Sequence, residues 1–124
     1  MSDQTYKQDQ GKLPVSAVPA ALIEAVAEIR RYGLTKYPGR YGYRSVSPDR
    51  ILEAMERHMV AMWDPENMLK RDPESGLPHL WHVACNAAFL CDLLHADLMA
   101  CVDHQPRCPL LGEESELTPP RLDE

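Results

Sequence analysis

Residues 78–102 read PHLWHVACNAAFLCDLLHADLMACV, with no glycine and no proline after the first position. Alanine and leucine dominate the stretch, so helix is the expected state, and it is several times longer than an ordinary strand. On a 3.6-residue period its apolar side chains fall on almost every side. Such a helix has to be covered by other protein, because no face is left for water. A bilayer is a poor cover, since Asn86, Asp92, His95 and Asp97 interrupt the stretch too often for a membrane span. The fold is therefore whatever can wrap this helix, which is expected to run without a break from about residue 78 to about residue 102.

Two earlier segments can do the wrapping. Pro19 suits the first turn of a helix reading AALIEAVAEIRRY, and Gly33 suits the position just past its end. Leu22, Ile23, Val26, Ala27 and Ile29 give that helix a broad apolar face. Ser47 followed by Pro48 is an N-cap and first-turn pair opening DRILEAMERHMVAMW. Leu52, Met55, Met59 and Met62 form its expected core stripe. Between the second and third helices, DPENMLKRDPESG carries two Asp-Pro steps and a Ser-Gly. It reads as a turn-rich connection with one short helical turn near 65–70. No strand pattern and no internal repeat is present. The expected fold is all-α, and three helices are few to cover an apolar one. The expectation is a helical bundle completed by oligomerisation, as a homodimer or homotetramer. An arm at 1–17, a domain at 18–103 and a proline-rich acidic tail at 104–124 complete the organisation.

The formal net charge is −6, which disfavours nonspecific binding to nucleic acid or to an anionic membrane surface. An anionic ligand would need metal ions to mediate. Cys85, Cys91, Cys101 and Cys108 form no CxxC pair, and the N-terminus lacks the basic and apolar regions of a secretion signal. The four are read as reduced thiols of a cytoplasmic protein.

Against this background a few polar residues stand out. His79 and His82 are three apart and Asn86 lies four further on, so the three share one side of a helix. Glu53 and Glu56 repeat the three-residue spacing on the preceding helix. Two antiparallel helices bearing such pairs can surround one volume with two carboxylates and two imidazoles. Carboxylate oxygens suit Mg²⁺ or Mn²⁺, and imidazole shifts the preference toward Mn²⁺, Co²⁺ or Zn²⁺. The bland alternatives are a solvated ExxE face and two histidines hydrogen-bonded to nearby carbonyls. A buried Asn86 needs partners, either a structural network or a ligand. Glu24 and Glu28 read mainly as exposed, with Glu28 set to pair with Arg31. His58 reads as a satisfied histidine at the edge of the core, and Asp92 and Asp97 as helix-surface or interface groups. Lys36, Arg40 and Arg44 sit among Tyr37, Tyr41 and Tyr43, a mixture suited to phosphate or a base, or simply to a solvated loop.

The segments IEAVAEIRRYGLTKYP, RILEAMERHMVAM and DPESGLPHLWHVACNAAFL, with GKLPVSAVP near the start, resemble the small phage and bacterial dATP/dGTP diphosphohydrolases. These form a MazG-like branch of the all-α NTP pyrophosphatases. The resemblance spans roughly residues 7–95, and ESGLPHLWHVACN is its most specific part. It implies a MazG-like helical bundle and hydrolysis of a purine (d)NTP, dGTP before dATP, to (d)NMP and pyrophosphate. The wider superfamily holds metal with ExxE on one helix and ExxD on the next. Glu53 and Glu56 match the first, and His79 and His82 stand where the second would fall. The resemblance thus implies Mg²⁺ or Mn²⁺ on these four residues, with Glu53 and Glu56 catalytic. Substrate contacts would come from Asn86, Lys36, Arg40, Arg44, Trp81 and Lys12. It also suggests a supply of dGMP for 2-aminoadenine in phages with modified DNA. The competing readings are a non-catalytic helical oligomer, with a structural metal or none, and a phosphohydrolase of the His-Asp type. The chain contains no His-Asp dipeptide to support the latter.

Overall fold

The computed structural model describes residues 11–36 and 38–103. Four α-helices account for most of them: α1 (Ala20–Lys36), α2 (Pro48–Ala61), α3 (His79–Leu93) and α4 (His95–Asp103). Short 3₁₀ turns occupy Val15–Ala17, Gly42–Ser45 and Pro65–Asn67. Among the described residues no strand forms, and the one β-bridge joins Arg71 to Pro78. The all-α expectation stands, and the predicted helical turn near 65–70 is the 3₁₀ turn at Pro65–Asn67. The predicted tail lies outside the described residues.

The helix required to be covered is the centre of the fold. α3 packs along both α1 and α2, whereas α1 and α2 have no comparable seam with each other. The two flanking helices therefore stand apart, and α3 forms the floor between them. Among the described residues, Ala25 and Ile29 of α1, Ile51 of α2, and Cys85 of α3 are the buried apolar ones.

Three local expectations are corrected. α1 runs through Gly33 to Lys36, and Gly33 keeps a helical backbone rather than the left-handed conformation of a C-terminal stop. Tertiary packing outweighs the roughly 1 kcal/mol that glycine costs inside a helix. The long third helix breaks at Leu94 into α3 and α4, which meet at 73°. No glycine or proline marks the break. As a result, no single helix among the described residues is long and apolar enough to cross a membrane. The third correction concerns α2, whose Leu52 (41%) and Met59 (36%) are exposed while Ile51 (5%) is buried. The inward face of α2 centres on Ile51, with Ala54, Met55, His58 and Met62 half-buried beside it, so only the Leu52 and Met59 part of the expected stripe turns outward. That rotation supplies the site with His58.

Cys85 and Cys91 are free thiols, as expected, but Cys101 is disulfide-bonded.

Candidate functional site

The gap between α1 and α2, floored by α3, is a cleft of about 960 Å³. One end of it is built by the chain reversal at residues 70–79. Asp72 N–H donates to the Leu77 carbonyl (2.8 Å), Gly76 N–H to the Asp72 carbonyl (2.7 Å), and His79 N–H to the Lys70 carbonyl (3.0 Å). The last bond satisfies a donor that the first turn of a helix otherwise leaves unpaired. Gly76 makes the turn at φ +74°, where a side chain is strained. The reversal folds Asp72 back over the start of α3, beside His79.

Three imidazoles and this carboxylate converge there. His58 of α2 and His79 of α3 hydrogen-bond through their Nδ1 atoms at 2.8 Å. The His58 ring stacks on that of His82, with centroids 4.3 Å apart and planes 7° from parallel. Tyr32 of α1 meets His82 edge-on at 6.4 Å. One ligand atom each from His58, Asp72 and His79 lies within 4.8 Å of the others, a grouping able to hold a metal ion. His82 is held differently, because its Nε2 lies 2.7 Å from Ser75 Oγ. Ser75 also donates its backbone N–H to Asp72 Oδ2 (2.8 Å) and accepts the Leu77 N–H on Oγ (3.1 Å).

The electrostatics fit a cation. Burial, reinforced by His82, His79 and Arg57 against the pull of Asp72, lowers His58 to about 4. Burial likewise lowers His82, with His79 and Lys36 acting in the same direction. Both rings are therefore neutral at physiological pH, the state in which imidazole offers a lone pair to metal. Burial raises the Asp72 carboxyl, but hydrogen bonds from the Ser75 backbone and hydroxyl, with His82 and His58 nearby, outweigh it. The net shift is below the ordinary carboxylate value, so Asp72 is ionised.

The expected site residues divide. His79, His82, Asn86, Lys36 and Glu53 all line the cleft. Lys36 pairs with Glu74 at 2.9 Å, its ammonium 5.6 Å from the centre of the Tyr32 ring. Glu53 is exposed, 3.7 Å from Arg57. Glu56, Arg40, Arg44, Trp81 and Lys12 do not line it. Arg44 is tied to Asp92 (3.1 Å) and lies over the Tyr41 ring. Tyr43 also donates its hydroxyl to Asp92, so Asp92, exposed on the helix surface as expected, clasps the loop onto α3. Arg40 offers its backbone carbonyl to Arg30. Glu28 pairs with Arg31 as expected. Tyr37 and His104 lie outside the described residues.

Sequence reasoning missed two members. His58 reads from the sequence as a core-edge residue, and Asp72 only as part of a turn. Sequence reasoning also missed the cations Arg30, Arg50 and Arg57 on the cleft wall. With Lys36 they make four positive side chains against the carboxylates of Glu53, Asp72 and Glu74. The cleft is thus locally positive in a chain of net charge −6. At its other end Tyr43 and Phe89 stack at 4.1 Å, with the Arg30 guanidinium 5.2 Å from each ring centre.

A group able to hold a metal ion and a stacked aromatic pair thus line one cleft. A family model described as dATP/dGTP diphosphohydrolase, N-terminal, matches residues 2–100. The chain belongs to this family. It is 35% identical over 89 residues to a dATP/dGTP diphosphohydrolase of Salmonella phage PMBT28. That alignment covers 72% of this chain but 29% of the phage protein. No solved structure matches. Within the diphosphohydrolase family frame, the ESGLPHLWHVACN block carries Ser75, His79, His82 and Asn86, all of them at or beside the cleft.

Proposed function

We propose that this protein hydrolyses a purine deoxynucleoside triphosphate, dGTP in preference to dATP, to the monophosphate and pyrophosphate. The observation that carries this reading is the convergence of His58, Asp72 and His79 at one end of the locally positive cleft. His58, Asp72 and His79 would hold a divalent ion, Mg²⁺ or Mn²⁺, which when bound screens the polyphosphate and polarises the α-phosphoryl group. An ion bound through these two Nδ1 atoms would displace the proton they share, because a metal takes the unprotonated nitrogen. Imidazole nitrogen favours Mn²⁺ over Mg²⁺.

Glu53, lining the same cleft, is positioned to complete a second carboxylate contact as substrate arrives. Lys36, Arg50 and Arg57 supply positive charge for the phosphates. Asn86 and the Tyr43–Phe89 pair provide an amide and an aromatic surface for the base. Release of dGMP as a precursor of 2-aminoadenine is the associated biological role. Exposed apolar side chains on α1 (Leu22, Ile23), α2 (Leu52, Met59, Val60) and α4 (Leu98, Met99, Val102) support a homo-oligomer, to be read by light scattering.

The decisive test is incubation with dGTP, dATP, dCTP or dTTP and Mn²⁺ or Mg²⁺, with products separated by ion exchange. The expected products are purine monophosphate and pyrophosphate in equal amounts. Stepwise release of inorganic phosphate, or no turnover with either metal, would reject the reading.

A further inference from the structure

Gly33 lies inside α1 with a helical backbone, so the freedom of glycine to adopt positive φ goes unused there. Its value at this position is the side chain it lacks. Gly33 lines the cleft, and a Cβ built on it would lie 3.9 Å from Nη1 of Arg30, one turn earlier on the same helix. That is ordinary contact for a methyl group, but a longer side chain would crowd the guanidinium. Glycine therefore leaves Arg30 open to the cleft that both residues line.

The guanidinium is also underused. Arginine carries five N–H donors in a rigid planar fork. Among the described residues Arg30 makes one hydrogen bond, from Nη2 to the Arg40 carbonyl, and pairs with no carboxylate. Of the other cleft cations, Lys36 is paired with Glu74 and Arg57 with Glu53. Arg30 is half-buried, so its remaining donors meet less water than those of a surface arginine. It sits 5.2 Å from the centres of both the Tyr43 and the Phe89 ring. A group capping one ring of a stacked pair would be much nearer that ring, so Arg30 stands at the flank of the stack. Charged donors beside two apolar rings suit the edge of a flat heteroaromatic ring. A phosphate would lose water to those rings and gain no hydrogen bond from them.

The position along the cleft agrees. His79 and Phe89 are ten residues apart on α3, a rise of ~15 Å. That is comparable with the reach from the polyphosphate of an extended nucleoside triphosphate to the far edge of its base. We propose that Arg30 is the specificity-determining residue that selects guanine over adenine, by donating two parallel hydrogen bonds to O6 and N7 of the base. This rests on the nucleotide-hydrolase reading above for its ligand. Guanine presents those two acceptors side by side, the pattern that an arginine fork matches. Adenine presents N7 beside an amino group, whose N–H would face the N–H groups of Arg30.

The test is calorimetric titration of the full-length protein, in Mn²⁺, with dGMP, dAMP and 7-deaza-dGMP. These carry a base and the α-phosphate but no anhydride to hydrolyse. The wild type should bind dGMP roughly 5- to 150-fold more tightly than dAMP, the range for one bidentate pair. 7-Deaza-dGMP, which has C–H in place of N7, should bind about fivefold or more weakly than dGMP. Arg30→Met should weaken dGMP until it lies within about threefold of dAMP, with dAMP binding itself little changed. Arg30→Lys keeps the charge and loses the fork, so it should lose most of the preference too. Equal binding of dGMP and 7-deaza-dGMP by the wild type would overturn the assignment with no variant needed. So would a variant that weakens dGMP and dAMP alike, the mark of a phosphate contact or a structural role, or no binding of dGMP at all. Pyrophosphate release from dGTP scores the hydrolase reading separately. An Arg30-dependent guanine preference without turnover rejects that reading alone. Turnover whose guanine preference survives in Arg30→Met rejects the Arg30 assignment alone.

Discussion

Acid should unfold this protein in a window set by its histidines rather than its carboxylates. His58 has a folded value near 4 against an ordinary 6.5. The folded value is the depressed one, so between those limits the unfolded chain binds the proton and the folded chain does not. Stability is therefore complete above pH 6.5 and is lost as pH falls toward 4. Integrating between pH 7 and 4.5 gives at most ~2.4 kcal/mol for one such group. Water reaching the partly exposed ring screens this to roughly 1–1.5 kcal/mol. His82 shifts in the same direction and adds to the slope. Asp72, Glu74 and Asp92 lie below their ordinary values, so they contribute only at lower pH. Urea unfolding of the metal-free protein at half-unit steps from pH 7.5 to 4.5 measures the slope. His58→Asn removes one titrating group and, with the same screening, should flatten it by roughly 0.5–0.75 kcal/mol per pH unit near pH 5. A flat profile in the wild type, or the same slope in both proteins, would refute the reasoning.

Three further outcomes are expected. Asp72→Asn keeps an acceptor for the Ser75 N–H but removes the ligand charge, so calorimetric Mn²⁺ affinity should fall at least about 100-fold with helicity by circular dichroism unchanged. An unaltered affinity would remove Asp72 from the metal group. Glu53→Gln should reduce dGTP turnover at least about tenfold more than Glu56→Gln, because Glu53 lines the cleft and Glu56 does not; equal losses would mean that Glu56 reaches a site through a second copy. Burial, against the pull of Arg30, raises the Cys85 thiol to about 11. Iodoacetamide at pH 8 should therefore modify exposed Cys91 in the native protein and Cys85 only after denaturation, as read by peptide mass spectrometry.

What the chain determines locally is legible along it. Pro19 before α1, Ser47 and Pro48 at the start of α2, and Pro78 before α3 mark where helices begin, because first-turn geometry depends on neighbouring residues. The apolar all-round character of residues 78–93 makes that helix central for a reason that holds before any coordinates exist. His79, His82 and Asn86 share a face by helical arithmetic, and the structure brings all three to one cleft. Lys36 and Glu53 reach the same cleft from other elements.

The remainder was decided by tertiary packing. Hydrophobicity favours the Leu52/Met55/Met59/Met62 stripe of α2, yet packing buries Ile51 and leaves Leu52 and Met59 exposed, with Met55, His58 and Met62 half-buried. A period identifies an apolar face but does not say which face meets a partner, and that rotation brings His58 against His79. Asp72 sits in a turn, where no periodicity applies. It joins His79 because the Arg71–Pro78 bridge and the Gly76 turn reverse the chain. The 73° break at Leu94 carries no glycine or proline, so local propensity gives no warning of it. Arg44 reads from the sequence as a phosphate ligand, yet its loop folds it onto Asp92, forty-eight residues away along the chain. Pairing at that separation depends on how helices pack, a global property that no short window of sequence contains.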